Sequence, residues 1–516
     1  MSVRTETPQE GYDEYVGRIA RGVGMSSAGQ GIGRFLGFAT HVALARMYGP
    51  AQLGFYALGT TLVQVANILS QFGMDNGVVR YVAHHGAKRD TERVRGTILQ
   101  ALGVTFGLSL ALSASMFFGA GFLAETIFDK PFLETMFRAF SLALPFFTLM
   151  SMTLWATQGF HTVRYATLVQ QVLRPLANLA LIFVFYFFGV EILGAVASYI
   201  LSMALGSVLA LYYLWRVFPK LLDREVKPRY ESRALFAVSG PMILANFTQY
   251  INLWTAVLVL GIFAGAREVG IYDAASRTAS LSTLVLIAFG GIFSPMISSL
   301  YQQGLTRDLG YLYKDVSRWA FTGALVFFLV TALLAKDIML AFREEFLPGW
   351  PVIVIVAAAQ LFSSSVGPTA RILAMTGHQR MVMTATISSA LTAVALNFLL
   401  VPSFGILGAA AATATALVVS NSLSLFFVHR FLGFWPYGLR YMKPLISGLA
   451  AAAAVYLART ILPDYEGLFA LIIFAPLFLA AFSAMLVIVG LSPSDRQFLS
   501  SFWSAVRRNL RWSEKG

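Results

Sequence analysis

About fourteen times along this chain the sequence stays apolar long enough to cross a hydrocarbon core of about 30 Å, and that recurrence constrains the fold before anything else does. The runs fall near 22–47, 54–73, 96–123, 137–157, 165–188, 193–215, 235–263, 271–296, 311–335, 352–375, 381–401, 406–428, 445–461 and 468–491. In lipid every backbone N–H and C=O must find its partner within the protein, so runs of this length predict helices. Composition agrees: 57% of the 516 residues are hydrophobic and only 12% charged, against about 25% charged in a soluble domain. The expectation is an all-α integral membrane protein with about fourteen transmembrane helices. The chain contains no cysteine, which removes disulfides and thiolate metal sites. Its opening, MSVRTETPQEGYDEYVGRIARG, is too polar and acidic for a cleaved signal peptide, so the first apolar helix is expected to be the targeting signal.

The formal net charge of +13 would suit nucleic acid, but the placement of the charges argues otherwise. Counting connections alternately, roughly 27 basic residues fall on the side of the termini, about 7 on the other and about 4 within helices. The rich segments are 88–95, 220–233, 307–318 and 430–443, with Arg507, Arg508, Arg511 and Lys515 in the tail. An even number of spans puts both termini on one face, and the basic excess makes that face cytoplasmic. For a prokaryotic chain this means the inner membrane. The charge is a topology signal, and no nucleic-acid partner is expected.

The chain also repeats itself. Gly49, Leu53, Gly54 and Tyr56 match Gly265, Val269, Gly270 and Tyr272 at a fixed offset, Ile192-Leu193-Gly194-Ala195 matches Ile406-Leu407-Gly408-Ala409, and Gly159 pairs with Gly377. Six helices separate each pair. Six is even, so the halves share an orientation and are related by an axis along the membrane normal. The expected organisation is a cytoplasmic segment 1–21, a six-helix bundle 22–216, a cytoplasmic linker 217–234, a second bundle 235–430, two more helices in 431–491, and a cytoplasmic tail 492–516. In that tail Phe498, Phe502, Trp503, Val506 and Leu510 alternate with arginines, as in an interfacial helix on anionic lipid. Two like bundles around a central cavity are a transporter design.

Polar residues inside the apolar runs mark what that cavity holds. Gln30, Arg34 and His41 share one face of the first helix, with Arg34 near its middle. A guanidinium at that depth costs about 2.5–3.5 kcal/mol on insertion scales, so it faces protein or water. Gln64, Asn67 and Gln71 stripe the second helix, which ends at Asp75. Arg174 stands in the fifth run beside Pro175, flanked by Gln170 and Asn178 at four-residue spacing, with a kink expected at the proline. Arg371 shares a face with Gln360 and Ser364 near the end of the tenth run, and Asn246 and Gln249 lie in the seventh. Against binding stand the ordinary alternatives: pairing of Arg34 with Asp75 or carbonyls, snorkelling of Arg174, anchoring by Arg371, and interhelical hydrogen bonding by the amides. Asp273 and Arg277, four residues apart, read as a structural or gating ion pair at the outer surface. His41 can take a proton near neutral pH, although a satisfied core role is the commoner one.

The run LARMYGPAQLGFYALGTTLVQVANILSQFGMDNGVVRYVA (44–83), echoed at Ala264–Tyr272, resembles the opening of the polysaccharide-transporter family. That family belongs to the superfamily of multidrug/oligosaccharidyl-lipid/polysaccharide exporters, whose members include O-antigen flippases and the lipid II flippase. The resemblance implies two six-helix bundles around a V-shaped cavity that opens alternately to either side. It implies as substrate a polyprenyl-diphosphate-linked oligosaccharide, moved between leaflets for O-antigen or exopolysaccharide synthesis. Glycosyltransferases or a polymerase of that assembly are the implied protein partners. Fourteen helices rather than twelve favour this branch over the cation-coupled multidrug exporters, which are the alternative. An anionic diphosphate calls for arginine, whose planar fork donates two parallel hydrogen bonds. From Gly22 to Phe188 no Asp or Glu is expected at mid-membrane depth, which counts against a cation-coupled exporter. There is no Gly-rich phosphate loop with Lys-Ser/Thr. The outer connections reach only about 15 residues and gather no catalytic set. No enzyme activity, cofactor or metal is expected.

Overall fold

The structure is a computed structural model that describes residues 8–223, 225–462 and 465–490. Side chains are described from Gly29 onward, apart from 233–234, 237–238, 240–246, 249, 253, 288–292 and 295. Helices make up most of this range, and no strand occurs among the described residues. The main helices are α1 (Pro8–Gln71), α2 (Met74–Ala87), α3 (Thr91–Phe118), α4 (Phe132–Ser141), α5 (Ala143–Gln158), α6 (Arg174–Phe187), α7 (Ile192–Val217) and α8 (Ser232–Phe263). They continue with α9 (Ala266–Ser280), α10 (Thr283–Gln302), α11 (Thr306–Leu333), α12 (Ala335–Phe342), α13 (Trp350–Val366), α14 (Thr369–Met375), α15 (Gln379–Leu432), α16 (Met442–Ile461) and α17 (Gly467–Val489). Among the described residues, ten helical stretches are long and apolar enough to cross a membrane. The amphipathic tail expected at 492–516 lies outside the described residues, as do the side chains of Asn246 and Gln249.

Two of the long helices are hairpins. A straight helix of 64 residues would run about 96 Å, three times the hydrocarbon thickness. Gly49 prevents this: its backbone turns at φ 80°, a conformation only glycine adopts at no steric cost, and Pro50 restarts the helix from its first turn. The rings of His41 and Tyr56 consequently lie 6.2 Å apart, so α1 has a first arm before Gly49 and a second arm after it. Gly405 (φ 53°) does the same in α15, where Ser389 Oγ reaches back to the Ala416 carbonyl at 2.8 Å.

Other sequence boundaries shift for local reasons. The second apolar run stops at Phe72 and Gly73, both with positive φ, and α2 begins there. The eighth run is two helices, α9 and α10, rather than one. The tenth breaks at Gly367 (φ 79°), so Arg371 sits on the separate helix α14 and shares no continuous face with Gln360 and Ser364. Ahead of Arg174 the chain forms a π-helical stretch, Thr167–Leu173, so the irregularity expected at Pro175 precedes it.

Helices on either side of the linker meet along one seam. At its hairpin-tip end the second arm of α1 crosses α9 at backbone distance. A Cβ on Gly54 would overlap the Ala266 carbonyl, and one on Gly270 would overlap that of Pro50. Without a lipid-excluding force between helices, such small-residue contacts supply the packing energy. Lys130, between α3 and α4, donates from Nζ to the carbonyls of Gly261 and Ala264 at 2.6 and 2.7 Å, capping the end of α8. Burial lowers the Lys130 pKa, opposed by Glu268 and Asp129. The linker lies over α2 and α3: Arg229 N donates to Glu92 O at 3.1 Å, and Glu231 pairs with Arg93 at 3.1 Å and His85 at 3.4 Å. The last helix pair is tied on by Arg459, which meets buried Asp337 at 2.9 Å.

Candidate functional site

Three cavities open along the seam, with volumes of about 240, 370 and 290 Å³. Among the described residues, only Arg277 lines all three. The 240 Å³ cavity is built largely from helices before the linker, with His41, Tyr56, Gln170, Arg174, Asn178 and Tyr199 in its wall. The wide π-turn and the four-residue spacing that follows place Gln170, Arg174 and Asn178 on this one face, and such turns recur at functional positions. Arg174 therefore does not snorkel to a surface. Its Nη1 touches Met203 Sδ at 3.9 Å, and its buried Nε has no partner among the described residues. Asn178 donates weakly to the Tyr56 hydroxyl at 3.5 Å.

The 290 Å³ cavity holds Arg34 beside Gln171 and Arg277. Among the described residues Arg34 pairs with neither Asp75 nor a carbonyl; its Nη1 donates to Thr283 Oγ1 on α10, across the seam. The 370 Å³ cavity is a different environment, lined by Gln64, Asn252, Trp254, Gln360, Ser389 and Thr413 among others. Trp254 is backed by Tyr250 in a parallel stack at 5.0 Å and donates to Gln64 Oε1 at 3.4 Å.

At the junction the structure overturns one sequence reading. Asp273 is not at a surface, although the Arg277 side chain paired with it is 41% exposed. Asp273 is 3% exposed and takes Arg277 Nε on both oxygens at 2.8 Å, while His41 Nε2 approaches its Oδ2 at 3.4 Å. Helix α9 begins in the tip contact, so a residue two turns along it is carried inward beneath the crossing. Arg277 binds Asp273 through Nε, which leaves both Nη groups without a hydrogen-bond partner among the described residues on a side chain that lines all three cavities. The seam thus has a buried carboxylate after all, supplied by α9 rather than by the region 22–188.

The remaining candidates separate. Asn67 is glue, buried and accepting from Thr148 Oγ1 at 3.0 Å. Gln64 borders two cavities. Gln30, Gln71 and Asp75 line none of the three, and Asp75 is buried at the start of α2. Arg371 also lies away from them and reaches Ser294 Oγ at 3.4 Å. Sequence reasoning missed Tyr56, Tyr199 and Trp254 as wall residues; apolar spacing alone marks aromatics as core.

Helices from both sides of the linker thus meet over arginine-lined cavities within a body of membrane-length apolar helices. Residues 19–301 match the family described as polysaccharide biosynthesis protein, and the chain belongs to that family. It is 23% identical over 415 residues to stage V sporulation protein B of Bacillus subtilis, covering 76% of this chain and 79% of that protein. It is 25% identical to the probable low-salt glycan biosynthesis flippase Agl15 of Haloferax volcanii, over 45% of this chain and 49% of the other. Among solved structures, the lipid II flippase MurJ in an inward closed conformation superposes with a TM-score of 0.70 at 14% identity, covering 90% and 98% of the two chains. A multidrug resistance MATE family transporter of the MOP superfamily, inward-facing, follows at 0.65 and 16%, covering 78% and 94%. At these identities the structural likeness concerns the fold.

Proposed function

We propose that this protein is a flippase that carries a polyprenyl-diphosphate-linked oligosaccharide across the cytoplasmic membrane by alternating access, with both termini cytoplasmic. The observation that carries the reading is the convergence of Arg34, Arg174 and Arg277 on two cavities that share Gly37 and Arg277 in their walls, with no acidic partner for Arg34 or Arg174 among the described residues. Intramembrane cations without counter-charges favour an anionic ligand, and guanidinium forks fit a diphosphate. The 370 Å³ cavity, where the Asp273–Arg277 pair stands beside the amides of Asn252, Gln360 and Gln64 and the hydroxyls of Ser389 and Thr413, suits the sugar. The polyprenyl tail stays in lipid, beside α16 and α17 in this reading, and no covalent step is involved. The two repeats, 22–216 and 235–430, rock about the seam. The names of the flippase relatives are consistent with this chemistry.

Cation-coupled export of organic cations is the second reading, and Asp273 is the observation that favours it. Its carboxylate already faces Arg277, however, which leaves the cavity with surplus positive charge. The test is leaflet transfer of a defined lipid-linked oligosaccharide in vesicles containing the purified protein. Transfer lost in Arg34→Ala, with expression and insertion intact, supports the flippase; transfer unaffected in that variant but lost in Asp273→Asn, with organic cations carried instead, supports the exporter.

A further inference from the structure

The contact between His41 and Asp273 has an unfilled place in it. His41 Nδ1 lies 2.9 Å from the Gly37 carbonyl. A carbonyl only accepts, so Nδ1 carries the hydrogen and Nε2 presents its lone pair. That nitrogen faces a carboxylate oxygen of Asp273 at 3.4 Å and has no hydrogen-bond partner. Two acceptors therefore confront each other in a buried position: His41 is 8% exposed and Asp273 3%. One hydrogen between them would convert an unsatisfied pair into a charge-assisted bond.

Asp273 also belongs to Arg277, with which His41 could compete only as an imidazolium. His41 stands on the first arm of α1, and Arg277 stands on α9, four residues along from the carboxylate. The other titratable or charged groups around the pair are Arg34 and Tyr56 on α1, Arg174 on α6, Tyr199 on α7 and Tyr272 on α9. Three of these six neighbours, counting Arg277, are permanent cations. While Arg277 holds Asp273 the carboxylate's charge is answered. A diphosphate entering the cavities attracts the free Nη groups of Arg277 and draws the guanidinium off, which leaves a buried carboxylate without a cation. Such a group is strongly destabilised unless a proton or another cation arrives.

We propose that His41 Nε2 and Asp273 Oδ2 bracket one exchangeable proton, taken up from the cytoplasmic water when an anionic ligand displaces Arg277 and released when Arg277 returns. The step adds one H⁺ to Nε2, forming an imidazolium–carboxylate pair across the seam, and breaks no covalent bond. It rests on the flippase reading for the anion and goes beyond it by making transport proton-coupled. The resulting bond joins α1 to α9, so ligand binding would tighten the seam on one side of the junction as Arg277 leaves it.

The experiment is proton uptake by the full chain in lipid nanodiscs on addition of polyprenyl diphosphate, read with a pH dye in weak buffer. Between about pH 6 and pH 8 the expected uptake is about one proton per lipid bound, beyond what the lipid's own phosphate contributes. His41→Gln removes that increment and with it the roughly tenfold weakening of lipid binding per pH unit that one linked proton imposes, so between about pH 6 and pH 8 its Kd varies only through the lipid's own phosphate. The difference between the two proteins isolates the site from protonation of the lipid. A wild type that binds the lipid with no increment over His41→Gln, or an increment that persists in Asp273→Asn, overturns the proton site and leaves the flippase standing. A wild type that binds neither the diphosphate lipid nor its glycosylated form overturns both.

Discussion

The seam between α1 and α9–α10 is closed in two different ways at its two ends. At the hairpin tips the contact is backbone on backbone: Gly54 lies against Ala266 and Gly270 against Pro50, with Lys130 capping α8 beside them. At the other end it is a side-chain contact, the guanidinium of Arg34 on the Thr283 hydroxyl, next to an open cavity. A backbone contact has no group that a ligand can compete for. An arginine–hydroxyl contact is weaker than an arginine–phosphate one, because the acceptor is neutral. The difference teaches which end responds to an anion: in this arrangement the tip end is a hinge or a shut door, and the Arg34 end is a latch that substrate itself can lift.

Breaking the tip contact carries the largest expected effect. Gly270→Val places two methyls where a single Cβ already collides with Pro50 O, and overpacking costs about 1–3 kcal/mol even in adaptable cores. Translocation in vesicles should be lost and the thermal midpoint in detergent should fall; a stable variant with full transport would show that this seam is never closed in the working cycle. At the latch end, Arg277→Ala should reduce translocation by about 100-fold, equal to about 2.8 kcal/mol, and Arg34→Ala should do as much. Arg34→Lys should recover part of the activity if charge dominates and little if the bidentate fork does, as measured by initial rates of leaflet transfer. Lys130→Ala removes a helix-end cap worth about 0.3–1 kcal/mol. Because the chain has no cysteine, one introduced Cys near Gly261 can report on the door: impermeant thiol reagents should label it about two- to fivefold faster in the variant, and unchanged labelling would remove Lys130 from the closure. Smallest of all should be the paired change Asn67→Leu with Thr148→Val. Removing both partners of a buried hydrogen bond is nearly neutral, so transport rates should stay within about twofold of wild type; a large transport defect would return Asn67 to the ligand.

Much of this was legible in the sequence, and the parts that were not share a cause. The apolar runs, Arg34, and the cluster of Gln170, Arg174 and Asn178 on one face could be read directly, since helical periodicity places residues on a face without reference to any neighbour. Asn67 and Arg371 were as plausible as Arg174 on that evidence. What separated them was the partner opposite: Thr148 for Asn67, Ser294 for Arg371, and for Arg174 a cavity wall with only the weak acceptor Met203 Sδ in reach. Asp273 was misplaced because its position depends on where α9 starts relative to the tip contact. The matched glycines Gly54 and Gly270 were visible as an internal echo, but not as each other's packing partners.

The sequence by itself determined that this chain lives in a membrane as a helical body, because hydropathy over twenty residues is a local sum that no tertiary arrangement can reverse. It also determined that cations would be carried into that body. Only the tertiary structure decided which of them line cavities, and that Arg277 meets the buried His41–Asp273 contact, whose two residues come from helices more than two hundred residues apart in the chain. Charge and spacing are written along the chain, whereas what a side chain opposes is set by how separate helices cross.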